Sequence, residues 1–253
     1  MTTPDTPLAG LRIVSMAEQY PGPFACMTLS DLGADVIQVE RPGSGDPARF
    51  LPAFFEAVNR GKRSVALDVK VPGDRNRLLA LVDQADVFME GFRPGKLARL
   101  GLGWEDLSAR NPRLVYCSIS GFGQTGPYRD RPAHDLTYQG VGGALDERIR
   151  GAVTGAPSDF LMGDTLSALY AVIGILSALK GRDRTGRGGH VDVSMSDAVT
   201  AGLAPFVASA DQPAPPPPQE EPAYDLFECA DGAWITLSIA HEDAYWARLA
   251  ALL

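Results

Sequence analysis

Short apolar runs rich in β-branched residues recur along the chain and predict buried strands. Segments with helical spacing lie between them, for example FACMTLSDLGA at 24–34 and DRNRLLALVDQ at 74–84. Because strands alternate with helices of crossover length, we predict an α/β fold with a mostly parallel sheet covered on both faces. The predicted strands are LRIVSM (11–16), DVIQVE (35–40), SVALDV (64–69), DVFMEG (86–91), LVYCSIS (114–120) and HVDVSM (190–195).

The longest apolar segment, DTLSALYAVIGILSALKGR, predicts a helix from about Asp164 to Leu179. It is apolar nearly all round, so we expect it to be buried. Asp164 is expected at its N-cap, where the helix dipole would lower the pKa of the carboxyl group and keep it ionised. Ser196 is expected to cap the helix that follows the last predicted strand.

A proline-rich segment, DQPAPPPPQEEP at 211–222, has the composition of a stiff linker and marks the clearest boundary in the chain. After it, YDLFECADGAWITLSIA predicts a β-hairpin with Asp231-Gly232 at its turn, and EDAYWARLAALL predicts a helix. We therefore expect a large domain at 1–210, a linker at 211–223 and the beginning of a small α+β domain at 224–253.

The composition is typical of a soluble globular protein, with 45% hydrophobic and 21% charged residues. We expect no membrane-spanning segment, and the first residues lack the features of a secretory signal. Cys26, Cys117 and Cys229 are far apart in the sequence and form no CxxC pair, which argues against disulfides and against a zinc cluster. These features predict a cytoplasmic protein without a membrane partner.

The net charge of -8 is distributed unevenly. Residues 1–150 hold 18 basic and 18 acidic side chains, whereas residues 151–253 hold 5 and 13. A nucleic-acid partner is disfavoured, because it would require a net basic face. Several basic residues nevertheless lie near the predicted carboxyl ends of strands and in their loops, where they could hold phosphates or be solvated surface charges. These residues are Arg41, Arg60, Lys62, Arg63, Lys70, Arg93 and Arg99.

The first β-to-α turn is where an α/β sheet usually binds its ligand, and Glu40 ends the second strand as a ribose-binding acid would. The turn has the sequence EQYPGPFA and lacks GxGxxG, so we expect neither a nicotinamide nor a flavin cofactor. We also expect no metal site, because His134, His190 and His241 are isolated from cysteines and from helical partners. His134 follows the glycine-rich loop at 120–132, which a parallel sheet would present to a ligand.

Long motifs follow one another from about residue 8 to the end of the chain. They are GPFACMTLSDLGADVIQVERPGSGDPAR, NRGKRSVALDVK, EGFRPGKLARLGLGWEDL, NPRLVYCSISGFGQTGPYRDRP, HDLTYQGVGG and LMGDTLSALYAVIGILSALKGRDRTGRG. Together they resemble the family III CoA-transferase superfamily of the CaiB/BaiF type, which includes α-methylacyl-CoA racemase. The resemblance implies a Rossmann-like large domain and a smaller domain in an interlocked homodimer. It also implies an enzyme whose substrate is an acyl-CoA, with coenzyme A bound as part of the thioester.

The same resemblance implies where coenzyme A binds. The matching positions lie in loops at predicted strand ends and include several of the basic residues named above. They are Arg41, Leu67, Asp68, Val69, Lys70, Gly91, Phe92, Arg93, Arg99, Ala133, Asp135 and Tyr138.

The superfamily divides by mechanism. In transferases, an aspartate that matches Asp164 is a nucleophile that takes the acyl group as a mixed anhydride and then CoA as a thioester. In the racemase, residues that match His134 and Asp164 exchange the α-proton from opposite faces through an enolate. Both groups are present here, and prolines replace the glycine-rich loop of transferases. The sequence therefore favours racemisation of a 2-methylacyl-CoA over CoA transfer, although a supporting glutamate of the racemase branch falls on His241.

Members of this superfamily continue beyond the small domain and return to complete the large one, whereas this sequence stops at Leu253. We expect one of three situations: a second polypeptide supplies the rest, the chain is a fragment, or it is a non-catalytic subunit that binds CoA.

Overall fold

The structure is a computed structural model that describes residues 6–145, 160–208, 224–239 and 242–252. Contacts divide the chain into two compact units, Met1–Val207 and Ala208–Leu253, and each is described by itself. The predicted linker at 211–223 and His241 lie outside the described residues.

The first unit is built on a six-stranded sheet with the strand order β3-β2-β1-β4-β5-β6, and every neighbouring pair in it is parallel. The prediction of an α/β fold is thereby confirmed. The strands are β1 (Arg12–Ser15), β2 (Asp35–Glu40), β3 (Arg63–Ala66), β4 (Val87–Glu90), β5 (Val115–Ser120) and β6 (Gly189–Ser194).

Helices connect these strands, and three of them begin on proline, which lacks the N–H that a first helical turn leaves unpaired. Short 3₁₀ helices cover Pro47–Phe50 and Ala98–Leu100. The α-helices are α1 (Pro21–Asp31), α2 (Pro52–Asn59), α3 (Pro72–Val82), α4 (Trp104–Arg110), α5 (Asp135–Gly142), α6 (Met162–Thr185), α7 (Met195–Gly202) and α8 (Ala204–Ala208).

The core forms two apolar layers, one on each face of the sheet, because successive residues of a strand point to opposite faces. Val115 and Cys117 pack in one layer with residues of α1 and α6. Tyr116, which lies between them in the sequence, packs in the other layer with residues of α3 and α4. The central strands β4 and β5 are therefore buried on both sides, as a doubly covered parallel sheet requires.

Helix α6 differs from its prediction in burial and in both boundaries. Ala171 and Ile175 are fully buried, but Ile173 is 57% exposed, so only one face of this apolar helix is covered. The helix continues past Leu179 to Thr185 because buried Arg182 donates to Asp86 and ties its last turns to the sheet. By length and composition alone α6 could cross a membrane, but a core helix of a soluble protein passes the same test.

The helix after β6 also begins earlier than expected. The side chain of Ser194 accepts a hydrogen bond from the backbone N–H of Asp197 at 3.2 Å, so Ser194 rather than Ser196 is the N-cap of α7. Ser196 lies within the first turn and is buried.

The second unit contains the predicted hairpin. Strands β7 (Tyr224–Glu228) and β8 (Trp234–Ser238) pair antiparallel, and helix α9 (Asp243–Ala250) follows. The Asp231 carboxylate accepts a hydrogen bond from the N–H of Ala233, and Gly232 adopts a φ of 80°, which favours glycine.

Candidate active site

A cavity of about 830 Å³ lies at the carboxyl-terminal edge of the sheet in the first unit. The loops that follow β1, β4 and β5 contribute to its wall, together with α5 and the first turn of α6. Strands β1 and β4 are neighbours from which the chain proceeds in opposite directions across the sheet. Parallel α/β folds bind ligands at this switch point, and the volume suits a small-molecule site.

Asp164 lines this cavity and is the third residue of α6. Its carboxyl group accepts no hydrogen bond from any residue that the structure describes. Burial, followed by the charge of Asp135, raises its pKa to about 7. Both the expected N-cap position and the expected lowering of the pKa are wrong. The helix starts two residues earlier, at Met162, and burial outweighs the helix dipole.

Asp135 holds the beginning of α6 in place. Its carboxylate accepts hydrogen bonds from the backbone N–H of Asp164, at 2.9 Å, and from the amide of Gln139. Gly163 permits this close approach, since a Cβ there would lie 3.1 Å from Asp135 Oδ1 and from Tyr138 Cβ. The carboxylate of Asp135 is therefore occupied by the protein itself, although it borders the cavity.

His134 and Tyr138 enter the cavity from α5. His134 is exposed at the N-cap position, where its side chain makes no capping hydrogen bond. The hydroxyl of Tyr138 donates to the carbonyl of Ala133 at 2.8 Å. Burial, with the nearby charges of Asp164 and Asp135, raises the pKa of Tyr138 to about 12, so its phenol stays protonated at neutral pH.

The positions predicted to bind coenzyme A fall into two groups. Those that line the cavity are Gly91, Phe92, Arg93, Ala133, Asp135 and Tyr138. Those that lie outside its wall are Arg41, Leu67, Asp68, Val69, Lys70 and Arg99. In the second group, Leu67 is part of the core and Arg41 pairs with Glu18, which itself lines the cavity.

Three basic residues at the start of β3 have structural roles. Arg60 and Arg63 stand at the amino end of β3, away from the carboxyl-terminal edge that carries the cavity. The ammonium group of Lys62, in contrast, reaches the first turn of α1. Arg60 pairs with Asp31, and Arg63 pairs with Asp35. Lys62 donates to Pro23, Val58 and Asn59 at 2.8–2.9 Å, and burial lowers its pKa to about 8. The expectation that Arg60 and Arg63 join a phosphate site at this cavity is therefore wrong, whereas Lys62 is already hydrogen-bonded within the protein.

Sequence reasoning missed several cavity residues. Arg129 and Arg131 come from the glycine-rich loop, where the RDRP string was a usable signal because two cations follow the glycines. Glu18 and Tyr20 come from the turn after β1, whose sequence EQYPGPFA lacks GxGxxG and carries no other motif that indicates a cavity. Among the residues that the structure describes, no group of three or more His, Cys, Asp or Glu side chains could hold a metal ion.

By its fold, this is an α/β protein with a Rossmann-type strand order. Its cavity lies at the switch point of the sheet and is lined by the Asp164 carboxylate. The sequence model of CoA-transferase family III matches residues 8–253. The chain belongs to this family, and the resemblance noted from its motifs is confirmed.

Three relatives illustrate the similarity. The acetyl-CoA:oxalate CoA-transferase of Acetobacter aceti is 41% identical over 210 residues, which cover 79% of this chain and 54% of that protein. The succinyl-CoA–L-malate CoA-transferase beta subunit of Chloroflexus aurantiacus is 35% identical over an alignment of 267 positions, which covers 98% of this chain and 65% of the relative. A crystal structure of a CaiB/BaiF family protein from Brucella suis has a TM-score of 0.84 and 38% identity, covering 98% of this chain and 69% of that one. The chain thus spans about half to two thirds of the length of its relatives.

Proposed function

We propose that this chain carries the nucleophile of a CoA-transferase, which moves CoA from an acyl-CoA to a carboxylic acid through Asp164. The carboxyl group of Asp164 carries this proposal: it faces a ligand-sized cavity and accepts no hydrogen bond from the described residues. A carboxylate without donors keeps its electron density available for attack. The curated relatives described above are named as CoA-transferases, which favours transfer over the racemisation that the sequence favoured.

The proposed reaction begins with attack of the Asp164 carboxylate on the thioester carbonyl. The carbon–sulfur bond breaks, the acyl group becomes a mixed anhydride on Asp164, and CoA leaves as a thiolate. The thiolate then attacks the aspartyl carbonyl, which releases the first acid and leaves an aspartyl-CoA thioester. The acceptor carboxylate attacks the carbonyl of this thioester, the carbon–sulfur bond breaks, and CoA leaves again as a thiolate while a second anhydride forms. The thiolate then attacks the acceptor's acyl carbonyl in this anhydride, which gives the new acyl-CoA and frees the Asp164 carboxylate.

Cations in the cavity support binding of a CoA thioester. Arg93, Arg129 and Arg131 line the same cavity as Asp164, and guanidinium groups bind phosphates with two parallel hydrogen bonds. Phe54 and Phe92 add apolar surface for the acyl or pantetheine portion. The predicted CoA contacts outside the cavity wall, among them Arg41, Lys70 and Arg99, remain part of this proposal.

A second subunit is also part of the proposal, as a second copy of this chain or as a different polypeptide. The Chloroflexus relative is named as a beta subunit, which supports assembly with another chain. A cytoplasmic location remains a prediction.

The direct test is to trap the intermediate. The protein is incubated with acetyl-CoA or succinyl-CoA and then treated with borohydride, which reduces an aspartyl thioester to an alcohol. Mass spectrometry of the peptide that contains Asp164 should then show the reduced side chain. Asp164→Asn should give no adduct, whereas Asp183→Asn, an exposed carboxylate on the same helix, should give as much adduct as the wild type.

Transfer to oxalate, succinate or glutarate is measured in parallel by chromatography of the CoA esters. Transfer that persists in Asp164→Asn would overturn the proposal. The proposal would also be overturned if neither adduct nor transfer is found but deuterium from the solvent enters the α-position of a 2-methylacyl-CoA. That outcome would indicate exchange of the α-proton instead of CoA transfer.

A further inference from the structure

We infer that Asp46 is a positioning residue of the acyl-transfer site, which holds the backbone of Gln19 in a left-handed conformation and thereby fixes Tyr20 beside the helical turn that carries Asp164. The inference rests on the proposed function and deepens it. Asp46 itself does not line the cavity, so it acts through the turn after β1.

The turn after β1 contains an unusual backbone conformation. Gln19 has a φ of 68°, and it is the one residue other than glycine with a positive φ among those that the structure describes. An amino acid with a long side chain is disfavoured there, because its Cβ crowds the backbone. The side chain of Gln19 is exposed and forms no hydrogen bond with a described residue, so it does not account for the conformation.

The carboxylate of Asp46 does account for it. Both oxygens lie within hydrogen-bond distance of the backbone N–H of Gln19, at 3.1 and 3.0 Å, and Oδ1 also accepts from the N–H of Ala48 at 2.8 Å. Asp46 is 1% exposed and forms no salt bridge with any described residue. A buried carboxylate is costly unless other groups compensate it. Here backbone N–H groups do so, and Arg49 and Lys62 also interact electrostatically with Asp46.

Asp46 is fixed in turn by the end of β2. Its backbone N–H donates to Glu40 Oε2 at 2.9 Å. Glu40 is held by two hydrogen bonds from Arg49, at 2.6 and 2.7 Å, and by one from Ser64 at 2.5 Å. A continuous series of hydrogen bonds therefore runs from Arg49 through Glu40 and Asp46 to the peptide of Gln19.

This series fixes the next residue, Tyr20. Its ring packs against Phe24 and Phe54, with centroids 5.6 and 5.5 Å apart. Its hydroxyl lies 3.2 Å from Oγ1 of Thr165, the neighbour of Asp164 in α6. Tyr20 and Asp164 line the same cavity, so Tyr20 borders the space of an acyl group attached to Asp164. A displaced turn would misorient that group, which lowers the rate of acyl transfer more than the affinity for CoA.

The first test compares Asp46→Asn with the wild type. We expect kcat to fall by about 10- to 100-fold and KM for the acyl-CoA to change less than about threefold. Asp31→Asn, which removes an exposed carboxylate of similar chemistry on α1, should leave kcat unchanged. Thermal unfolding of each variant shows how much native structure remains.

The second test separates positioning from a general loss of stability. Gln19→Gly in the Asp46→Asn background should restore most of kcat, because glycine adopts a positive φ without a carboxylate to hold it. The melting temperature should stay low, since the lost hydrogen bonds of Asp46 are not restored. Gln19→Val should lower kcat with Asp46 intact, because a β-branched residue disfavours this φ.

The inference is wrong if kcat of Asp46→Asn matches that of the wild type, or if Gln19→Gly restores nothing. If Asp46→Asn fails to fold, Gln19→Val decides, and a wild-type kcat for that variant overturns the inference. The proposed function fails separately, through transfer activity that survives in Asp164→Asn.

Discussion

Two acidic regions lie at the carboxyl-terminal edge of the same sheet and differ in how their carboxylates are partnered. In the Glu40 cluster, made of Glu40, Asp46, Arg49 and Ser64, the carboxylate of Glu40 accepts hydrogen bonds from the other three residues. Arg49 is the largest cause of a pKa for Glu40 of about 2. Asp164, with no donor among the described residues and with Asp135 nearby, has a pKa of about 7.

Burial alone therefore does not assign a role to a carboxylate. Both groups are removed from much of the solvent, which by itself raises a carboxyl pKa. Hydrogen-bond donors reverse the effect for Glu40 and give it a structural role, whereas Asp164 has no such donor among the described residues and keeps a raised pKa. In our proposal, the Glu40 cluster fixes the turn after β1 and so positions the site of the proposed nucleophile.

The largest expected effect comes from removing the charge of Asp164. Asp164→Asn should lower the rate of CoA transfer by about 10³-fold or more, because the amide is not a nucleophile. It should also stabilise the fold at pH 8 by on the order of 2 kcal/mol, since the buried charge is gone. Because the folded-state pKa is raised, only the unfolded chain ionises Asp164 between about pH 4 and 7, and the wild type becomes progressively less stable over that range. The stabilisation should therefore vanish near pH 4, as thermal unfolding across pH can show.

A second large effect is expected in the Glu40 cluster. Arg49→Ala leaves a buried carboxylate with fewer donors and should lower the free energy of unfolding by roughly 2 kcal/mol at neutral pH. The depressed pKa of Glu40 stabilises the fold above about pH 4.5, and that contribution is lost as the pH falls through 2. The difference in unfolding free energy between Arg49→Ala and the wild type should therefore shrink as the pH falls over this range.

The matched control for this prediction is Arg63→Ala, which breaks an exposed pair with Asp35 and should cost less than about 1 kcal/mol. Denaturant unfolding measures both variants. Equal losses of unfolding free energy in the two variants would show that burial of the Glu40 cluster does not strengthen the contribution of its ion pair to stability.

A moderate effect is expected on the pH dependence of catalysis. Because Asp164 must be ionised to attack, kcat should rise with pH through about 7. Burial is the larger cause of the raised pKa and the charge of Asp135 the smaller one, so Asp135→Asn should shift the profile to lower pH by about one unit at most. An unchanged pH profile of kcat in Asp135→Asn would show that the charge of Asp135 does not raise the pKa of Asp164.

The smallest effects are expected from two glycines of α6. A Cβ on Gly163 would press on Asp135 and Tyr138, so Gly163→Ala should lower kcat by about 3- to 10-fold. Gly181 has open space where its Cβ would be, so Gly181→Ala should stabilise the helix by up to about 1 kcal/mol and leave kcat unchanged. Equal kcat values for the two variants would show that the close approach at Gly163 has no part in catalysis.

Much of the fold could be predicted, because a doubly covered sheet requires continuous apolar strands and the spacing between them allows only crossover helices. The site was predicted in part. Its motif residues Gly91, Phe92 and Arg93 do line the cavity, since they directly follow β4. The prediction for Arg60 and Arg63 was wrong because Arg60 precedes β3 and Arg63 is its first residue, so both lie at its amino end, whereas the cavity lies at the carboxyl ends of the strands.

The α/β class, the family and the choice of Asp164 as a candidate follow from the sequence alone, because apolar periodicity and motif order are properties of the linear chain. The electrostatic state of that carboxylate depends on the folded structure. Its pKa depends on burial and on Asp135, 29 residues away in the sequence. Likewise, the bond from Gln19 to Asp46 joins two turns that meet only when β1 and β2 pair. Desolvation and long-range hydrogen bonds exist only after the chain has folded.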